Sequence, residues 1–158
     1  MLNQFSRTEL LLGKEAMEIL EHSRVAVFGI GGVGGYVVEA LARSGVGAFD
    51  LIDDDKVCLT NLNQIIATRK TVGKYKAEVM KERILEINPK AEVNTHLCFF
   101  LPENKDEFDF SRYTYVVDAI DTVTAKISLV EECEKAGVPL ISSMGAGNKL
   151  NPFLFEVA

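Results

Sequence analysis

The chain has 158 residues, of which 47% are hydrophobic and 25% charged, and its net charge is −6 at neutral pH. This length suits one domain with a full core and is too short for two large domains. The sequence has no apolar run of the roughly 18 residues that a membrane span needs, and its first segment carries several glutamates instead of a signal peptide's apolar block, so we expect a cytoplasmic protein without membrane association. The acidic balance also disfavours indiscriminate binding to nucleic acid.

Hydrophobic periodicity predicts alternating helices and strands. Ser6 is a candidate helix cap and Gly13 a break, so one or two short helices fill residues 1–22. A buried strand follows at 24–28, and then a helix that ends at Gly45. Further strands are predicted at 49–53, 93–97, 115–118, 138–142 and 154–157, with helices at 74–87 and 122–136 and a long polar loop at 54–71.

This alternation predicts a Rossmann-like, doubly wound α/β fold, with a mainly parallel sheet and helices on both faces. We expect a single domain over residues 1–158, with the Rossmann-like core at 23–158. In such sheets ligands gather at the carboxyl ends of the strands. The residues that this edge brings together are Gly29, Asp53, Asp118, Asp121 and Gly145.

A glycine-rich turn is the strongest functional signal. Gly29, Gly31 and Gly34 form a G-x-G-x-x-G pattern between a strand and a helix, and Asp53 follows where a carboxylate can bind ribose hydroxyls. Glycines let the backbone approach phosphate closely, and the helix start offers unpaired N–H donors. The pattern predicts nucleotide binding over a merely structural turn, but it fits NAD and ATP equally.

The remaining polar residues favour ATP. A dehydrogenase needs a proton-handling residue, and the two histidines, His22 and His96, lie in helix and strand patterns where a structural role is the more common one. By contrast, Lys76, Asp121, Asp53 and Arg69 could hold a triphosphate and its magnesium ion.

Two further groups of residues were considered for function. Residues 69–83 form the one basic segment, which is either a solvated helix face or a contact for the phosphates of a nucleotide or RNA. The three cysteines are scattered and odd in number, so we expect reduced thiols, with neither a disulfide framework nor a four-cysteine zinc site. Cys58 lies in the polar loop and is the one expected near the nucleotide, although a buried free cysteine is the more common case.

Seven segments, in order, carry a family resemblance: Gly29–Gly34, Ala42–Gly47, Leu51–Asp55, Thr60–Gln64, Gly73–Glu78, Ile87–Pro89 and Asp118–Asp121. They resemble the ATP-dependent adenylating enzymes of the ThiF/MoeB/HesA superfamily, which are related to ubiquitin-activating proteins. Within it, Val57–Asn63, Lys126, Gly145–Gly147 and Asn151-Pro152 are most similar to the tRNA threonylcarbamoyladenosine dehydratases.

The resemblance implies that a carboxylate attacks the α-phosphorus of ATP to form an acyl-adenylate. In the dehydratases this carboxylate belongs to modified adenosine 37 of tRNA, which then cyclises with loss of water. The alternative is adenylation of the C-terminus of a ubiquitin-like sulfur carrier in thiamine or molybdopterin biosynthesis. ATP, Mg²⁺, tRNA, a second copy of the chain and a sulfur-transfer protein are the implied cofactors and partners, and the family's C-terminal part is absent from this sequence.

The resemblance also assigns roles to residues. Lys76 balances phosphate charge, Asp121 positions magnesium and the α-phosphate, and Arg7 reaches a neighbouring subunit's triphosphate; we expect Lys76 and Asp121 to be exposed at element ends. The implied nucleotide-binding residues are Gly29, Gly31, Gly32, Gly34, Asp53, Asp55, Asn61, Asn63, Gln64, Lys76 and Asp121.

One departure from the family bears on activity. The family places an arginine before the glutamine that follows Thr60–Asn63, whereas here Gln64 follows Asn63 directly. Either the deletion is real, or the recorded sequence has a gap, or Arg69 takes over the contact with ATP phosphates. A real deletion would favour a nucleotide-binding module without catalysis.

Overall fold

The computed structural model describes residues 2–63, 67–145, 147 and 149–158. Five parallel strands form one sheet in the order β3-β2-β1-β4-β5. The strands are β1 (Arg24–Phe28), β2 (Ala48–Ile52), β3 (Glu92–His96), β4 (Tyr115–Asp118) and β5 (Leu140–Ser142). The helices are α1 (Ser6–Leu12), α2 (Lys14–His22), α3 (Gly32–Ser44), α4 (Lys76–Ile87) and α5 (Val123–Ala136). The predicted Rossmann-like α/β fold is therefore confirmed.

The central strand β1 is buried on both faces, which explains its continuous run of apolar residues. Val25 and Val27 pack with β2, β3, α3 and α4 in one core cluster. Ala26 and Phe28 point to the other face, where α5 and a group of aromatic rings cover the sheet. Helices therefore cover both faces, and side-chain alternation along β1 divides the core into two layers.

The two N-terminal helices are attached to the start of β2. Their break lies at Gly13, whose φ of 85° suits glycine. The Gly47 N–H donates to the Leu20 carbonyl, and a Cβ on Gly47 would lie 1.7 Å from the Glu21 carbonyl oxygen, so only glycine permits this close approach. The chain then enters the sheet through Ser23, whose carbonyl accepts from the Ala48 N–H.

Predicted boundaries shift by one or two residues at most elements, as helix and strand ends commonly do. The shift that matters is at β2, which ends at Ile52, so Asp53 lies just beyond the strand. The loop predicted at 54–71 contains short 3₁₀ turns at Leu59–Asn63 and Arg69–Thr71.

The strand predicted at 154–157 is wrong. Pro152–Leu154 forms a 3₁₀ turn that begins at Asn151, whose side chain accepts a hydrogen bond from the Phe153 N–H. Asn151 and Pro152 are turn-forming residues, and the turn includes Leu154. Residues 155–157 pair with none of the five strands of the described sheet, so they form no strand.

Candidate functional site

A cavity of about 870 Å³ opens at the carboxyl edge of the sheet, where the strand order reverses between β1 and β4. Ligands of doubly wound sheets bind at this switch point. The lining comes from the loops after all five strands: Gly29, Gly31, Gly32, Val33, Ile52, Asp53, Asp54, Asp55, Asn61, Lys76, Cys98, Phe99, Phe100, Ala119, Ile120, Asp121 and Gly147.

A second cavity, of about 640 Å³, lies between the N-terminal helices and the far end of the sheet. Three glutamates and two lysines line it: Glu9, Glu18, Glu21, Lys14 and Lys90. Charge does not separate the two cavities, because carboxylates also outnumber lysines in the switch-point cavity. Of the two, the switch-point cavity is the one lined by the glycine turn that leads into α3. The cavity at the switch point is the better nucleotide site.

The glycine turn forms one wall of the switch-point cavity. Gly29 has φ of 88°, and a Cβ there would lie 2.7 Å from the Ala119 carbonyl oxygen. Both the backbone conformation and the close approach therefore require glycine at this position. Helix α3 begins at Gly32, and no side chain caps its start. Its first N–H groups are therefore available to an anion, and the helix dipole adds a partial positive charge.

Gly34 has a different role from the other glycines. It does not line the cavity; it is buried in α3, where a Cβ would lie 1.8 Å from the Gly29 carbonyl oxygen. It allows the helix to pack closely against the turn. Of the three glycines of the G-x-G-x-x-G pattern, Gly29 and Gly31 line the cavity and Gly34 serves packing.

Asp53 is already engaged with the backbone around it. One carboxylate oxygen accepts from the Ile30 N–H at 2.6 Å and the other from the Asp55 N–H at 2.8 Å. Burial raises the pKa of Asp53, and these two hydrogen bonds and the charge of Lys76 oppose the rise only in part. Asp53 therefore holds the glycine turn and the following loop in place, and its remaining lone pairs face the cavity that it lines.

Lys76 lies at the start of α4 and is buried, with 8% of its surface exposed. The expectation of an exposed lysine is wrong, because the α4 start is folded against the loop after β2. Its Nζ lies 2.5 Å from the Asp55 carboxylate, and its backbone N–H donates to the Asp55 carbonyl. Asp55 itself is exposed, so this ion pair sits at the cavity wall with one side open to solvent.

Asp121 is exposed, as expected, and lies on the loop between β4 and α5. The loop is anchored at Asp118, whose buried carboxylate accepts from the Ile120 N–H at 3.2 Å. Ala119, Ile120 and Asp121 follow in succession along the cavity wall. Asp121 therefore lines the same cavity as the glycine turn, on a loop that follows the neighbouring strand β4.

The loop after β2 brings only part of its predicted set to the cavity. Asn61 lines it, and its side-chain carbonyl accepts from the Cys58 N–H, which leaves the amide NH₂ as its donor to a ligand. Asn63 is exposed and does not line the cavity. Gln64 lies outside the described residues.

The cysteine prediction needs correction, since Cys98 lines the cavity and Cys58 does not. Cys98 follows β3, so the parallel topology itself brings it to the carboxyl edge. Burial raises its pKa. Cys58 is exposed, and a hydrogen bond with the Thr60 hydroxyl lowers its pKa. All three cysteines are free thiols.

Half of the six basic residues in the segment at 69–83 pair with carboxylates. Lys74 pairs with Glu82, Arg83 pairs with Glu39, and Lys76 pairs with Asp55. Arg69 and Lys70 are exposed in a 3₁₀ turn, and Arg69 does not line the cavity. Lys74 and Arg83 therefore fit a solvated helix face better than a phosphate contact, whereas buried Lys76 lines the cavity.

His22, His96 and Arg7 all lie outside the lining of the switch-point cavity. His96 lies 3.0 Å from the Asp50 carboxylate and packs on Phe108, and the His22 ring contacts the Glu18 carbonyl within its own helix. Neither lines the switch-point cavity. Arg7 is exposed on α1 and also does not line this cavity. The prediction that Arg7 reaches the triphosphate of a neighbouring subunit stays a prediction.

A cluster of packed aromatic rings lies beneath the cavity. Phe28, at the end of β1, packs edge-to-face on Phe100 with ring centroids 5.0 Å apart, and Phe100 lines the cavity. Phe108 and Phe110 pack on the same pair. Sequence reasoning missed this cluster, because its members come from three separate segments with no shared period.

Among the helices within the described ranges, none is long and apolar enough to cross a membrane.

Comparison with known proteins identifies the family. The chain is 51% identical over its whole length to the tRNA threonylcarbamoyladenosine dehydratase of Bacillus subtilis, of which it spans 63%. It is 44% identical to Escherichia coli TcdA, a tRNA N6-threonylcarbamoyladenosine dehydratase solved in complex with ATP, with a TM-score of 0.92 over 95% of this chain and 62% of that one. The same enzyme in complex with AMP gives a TM-score of 0.91, over 95% and 61%. The ThiF family model matches residues 5–157, and the chain therefore belongs to the ThiF family.

Proposed function

We propose that this protein adenylates a carboxylate with ATP, and that the carboxylate is that of threonylcarbamoyladenosine at position 37 of tRNA. The observation that carries the proposal is one cavity lined by an uncapped helix start, a lysine and an aspartate from three separate segments. The two relatives named as dehydratases, one of them solved with ATP and with AMP, support this choice of reaction. The chain spans less than two thirds of each relative, so the activity of the whole protein is part of the proposal.

In the proposed reaction a substrate carboxylate oxygen attacks the α-phosphorus of ATP. A new P–O bond forms, the bond to the β-phosphate oxygen breaks, and pyrophosphate leaves with its electron pair. Negative charge builds on the phosphate oxygens, so fixed donors aimed at them stabilise the transition state. The α3 N-terminus and Lys76 supply such donors, and Asp121 orients the α-phosphate from the opposite loop.

Nucleotide binding would require Lys76 to exchange partners. In the structure its ammonium is held by Asp55 at 2.5 Å. ATP phosphates would draw the ammonium away and leave the exposed Asp55 carboxylate to solvent or to the ribose hydroxyls. Asp53, whose oxygens already hold the turn, keeps the α3 start in register for the phosphates and contributes its remaining lone pairs to the ribose.

Magnesium fits this site only together with the nucleotide. Mg²⁺ prefers oxygen ligands and is commonly held by one or two carboxylates plus substrate phosphates. Asp121 supplies a carboxylate at the cavity wall. In the part of the chain that the structure describes, no group of three or more His, Cys, Asp or Glu residues could hold a metal alone. We therefore assign Asp121 as the protein ligand, with ATP supplying the rest; the bound ion would neutralise phosphate charge.

After adenylation, cyclisation needs no protein nucleophile, because a nitrogen of the substrate's own side chain attacks the activated carbonyl and AMP leaves. The net change in the tRNA is loss of one water. Exposed Arg69 and Lys70 are candidate contacts for the tRNA backbone, since they remain at the surface of an acidic chain. Arg7 on α1 is a candidate donor to the triphosphate of a second subunit in a homodimer.

The decisive experiment uses tRNA that carries threonylcarbamoyladenosine. The full-length protein with ATP and Mg²⁺ should release AMP and pyrophosphate and lower the nucleoside mass by one water. Unmodified tRNA is the control and should cause no turnover. Turnover that depends instead on a ubiquitin-like sulfur carrier or a sulfur-transfer partner, with none on modified tRNA, would contradict the proposal.

The missing arginine gives a second test of catalysis. Inserting an arginine between Asn63 and Gln64 should raise kcat/KM by about 10- to 150-fold, because a charged hydrogen bond to phosphate contributes about 1.5–3 kcal/mol. Insertion of alanine at the same point restores the loop length without the charge and should not. If the arginine and alanine insertions gave equal rates, the inserted arginine would add no contact with the ATP phosphates, and another group would already make that contact.

A further inference from the structure

Lys126 and Asp118 form a buried ion pair that the proposed chemistry does not use. Asp118 is the last residue of β4 and is fully buried, while Lys126, in α5, is 8% exposed. The Lys126 Nζ lies 3.0 Å from both carboxylate oxygens of Asp118. Neither residue lines the cavity.

The lysine also reaches the next strand. Its Nζ donates to the Ser143 carbonyl at 2.8 Å and lies 3.4 Å from the Ser142 hydroxyl. Ser142 in turn donates to the Asp118 carboxylate, and the Ser143 N–H donates to the Asp118 carbonyl at 2.8 Å. One ammonium group therefore joins the carboxyl ends of β4 and β5.

Both strand ends lead directly into cavity-lining loops. On one side, the Asp118 carboxylate also accepts from the Ile120 N–H, one residue before Asp121. On the other, Ser143 lies four positions before Gly147, which lines the cavity. The three N–H donors of the ammonium are satisfied by protein oxygens, so Lys126 has no donor left for a substrate.

We propose that Lys126 is a positioning residue, which fixes the β4–α5 loop and the loop after β5 so that Asp121 keeps its place opposite the glycine turn. Stability alone does not require it, since a buried ion pair can often be replaced by apolar residues of similar volume without loss. An apolar pair cannot replace the ammonium group, which donates hydrogen bonds both to the Asp118 carboxylate at the end of β4 and to the Ser143 carbonyl just after β5. The catalytic part of this inference rests on the proposed function.

The test compares two variants with a matched control. Lys126→Met removes the ammonium, and Asp118→Asn/Lys126→Met removes both charges, so no buried carboxylate is left unpaired. Lys135→Met changes an exposed lysine of the same helix, one that pairs only with Glu132 among the described residues. If the single variant does not fold, the neutral pair carries the test.

The first readout is amide hydrogen exchange at Ile120 and Ser143, measured on the folded protein without ATP. Both amides should exchange about tenfold faster or more in the Lys126 variants than in Lys135→Met, while β1 amides stay unchanged. The second readout is turnover. In the neutral pair, kcat should fall about tenfold or more with KM for ATP changed less than about threefold, because misplacing Asp121 weakens the transition state more than binding.

A merely structural role would lower the amount of folded protein but leave kcat per folded molecule unchanged. Exchange and kcat in the neutral pair that match Lys135→Met would overturn the inference. If the unaltered protein shows no ATP turnover at all, the proposed function fails, and the exchange readout still decides whether Lys126 fixes the two loops.

Discussion

Replacing Lys76 by methionine separates its role in ATP turnover from its role in folding. Methionine keeps an unbranched side chain of similar length in the buried position and removes only the ammonium. The substitution breaks the ion pair with Asp55 and takes away the charge that we place opposite the ATP phosphates.

The substitution should lower the unfolding free energy only slightly and kcat/KM much more. Asp55 is 66% exposed at its side chain, so the ion pair is screened by water and its loss should cost less than about 1 kcal/mol of unfolding free energy. A charged hydrogen bond to phosphate contributes about 1.5–3 kcal/mol, so kcat/KM should fall by about 10- to 150-fold. The loss of positive charge also raises the pKa of Asp53 further above its usual value, since Lys76 opposes the effect of burial there.

The assay measures AMP release with modified tRNA, alongside urea unfolding of each protein. Lys74→Met is the control, because Lys74 lies two residues earlier, is exposed and pairs with Glu82. It should change neither quantity appreciably. A kcat/KM for Lys76→Met within threefold of the unaltered protein would refute the reasoning, as would a fall in activity explained wholly by unfolding.

Three further predictions concern stability and reactivity. Gly34→Ala should cost roughly 3 kcal/mol or more in thermal unfolding, because its Cβ would lie 1.8 Å from a carbonyl oxygen, whereas Gly31→Ala meets open space and should change stability by less than about 0.5 kcal/mol; similar melting temperatures would contradict this. Burial of Asp50 favours its neutral form, but the adjacent imidazole and guanidinium hold its pKa below 3.8, so the stability it contributes is present above that pH and lost as the pH falls through the lowered value. Asp50→Asn should therefore flatten the acid-side fall in unfolding free energy measured with urea, and an unchanged slope would count against the ion cluster. Iodoacetamide should label exposed Cys58, whose pKa is lowered by a threonine hydroxyl, well before buried Cys133, whose pKa is raised by desolvation to about 11. Labelling is followed by mass spectrometry, and modification of Cys133 before Cys58 would contradict this prediction.

Much of the fold was predictable because its signals are local. The glycine break at 13, the continuous apolar strand at 24–28 and the helix end at Gly45 each follow from backbone and packing rules within one segment. Parallel topology then follows from alternation. Of the five residues predicted to meet at this edge, Gly29, Asp53 and Asp121 line one cavity, whereas Asp118 is buried beside it and Gly145 is not part of the lining.

What sequence reasoning missed depends on contacts between distant segments. Lys76 is buried where the start of α4 packs against the loop after β2, and its own helical segment gives no sign of this contact with Asp55. The apolar alternation at 154–157 predicted a strand, but the structure has a 3₁₀ turn at Pro152–Leu154. The tie between Lys126 and Ser143 joins a helix to a strand end, and periodicity does not report such bonds.

The central claim is that a triphosphate, and not a redox dinucleotide, lies over the glycine turn between Lys76 and Asp121. A calorimetric titration of the full-length protein with ATP and Mg²⁺, and separately with NADH, tests it most directly. We predict saturable ATP binding that weakens about tenfold or more in Lys76→Met, with no heat from NADH. Tight NADH binding in the absence of any ATP binding would contradict the account.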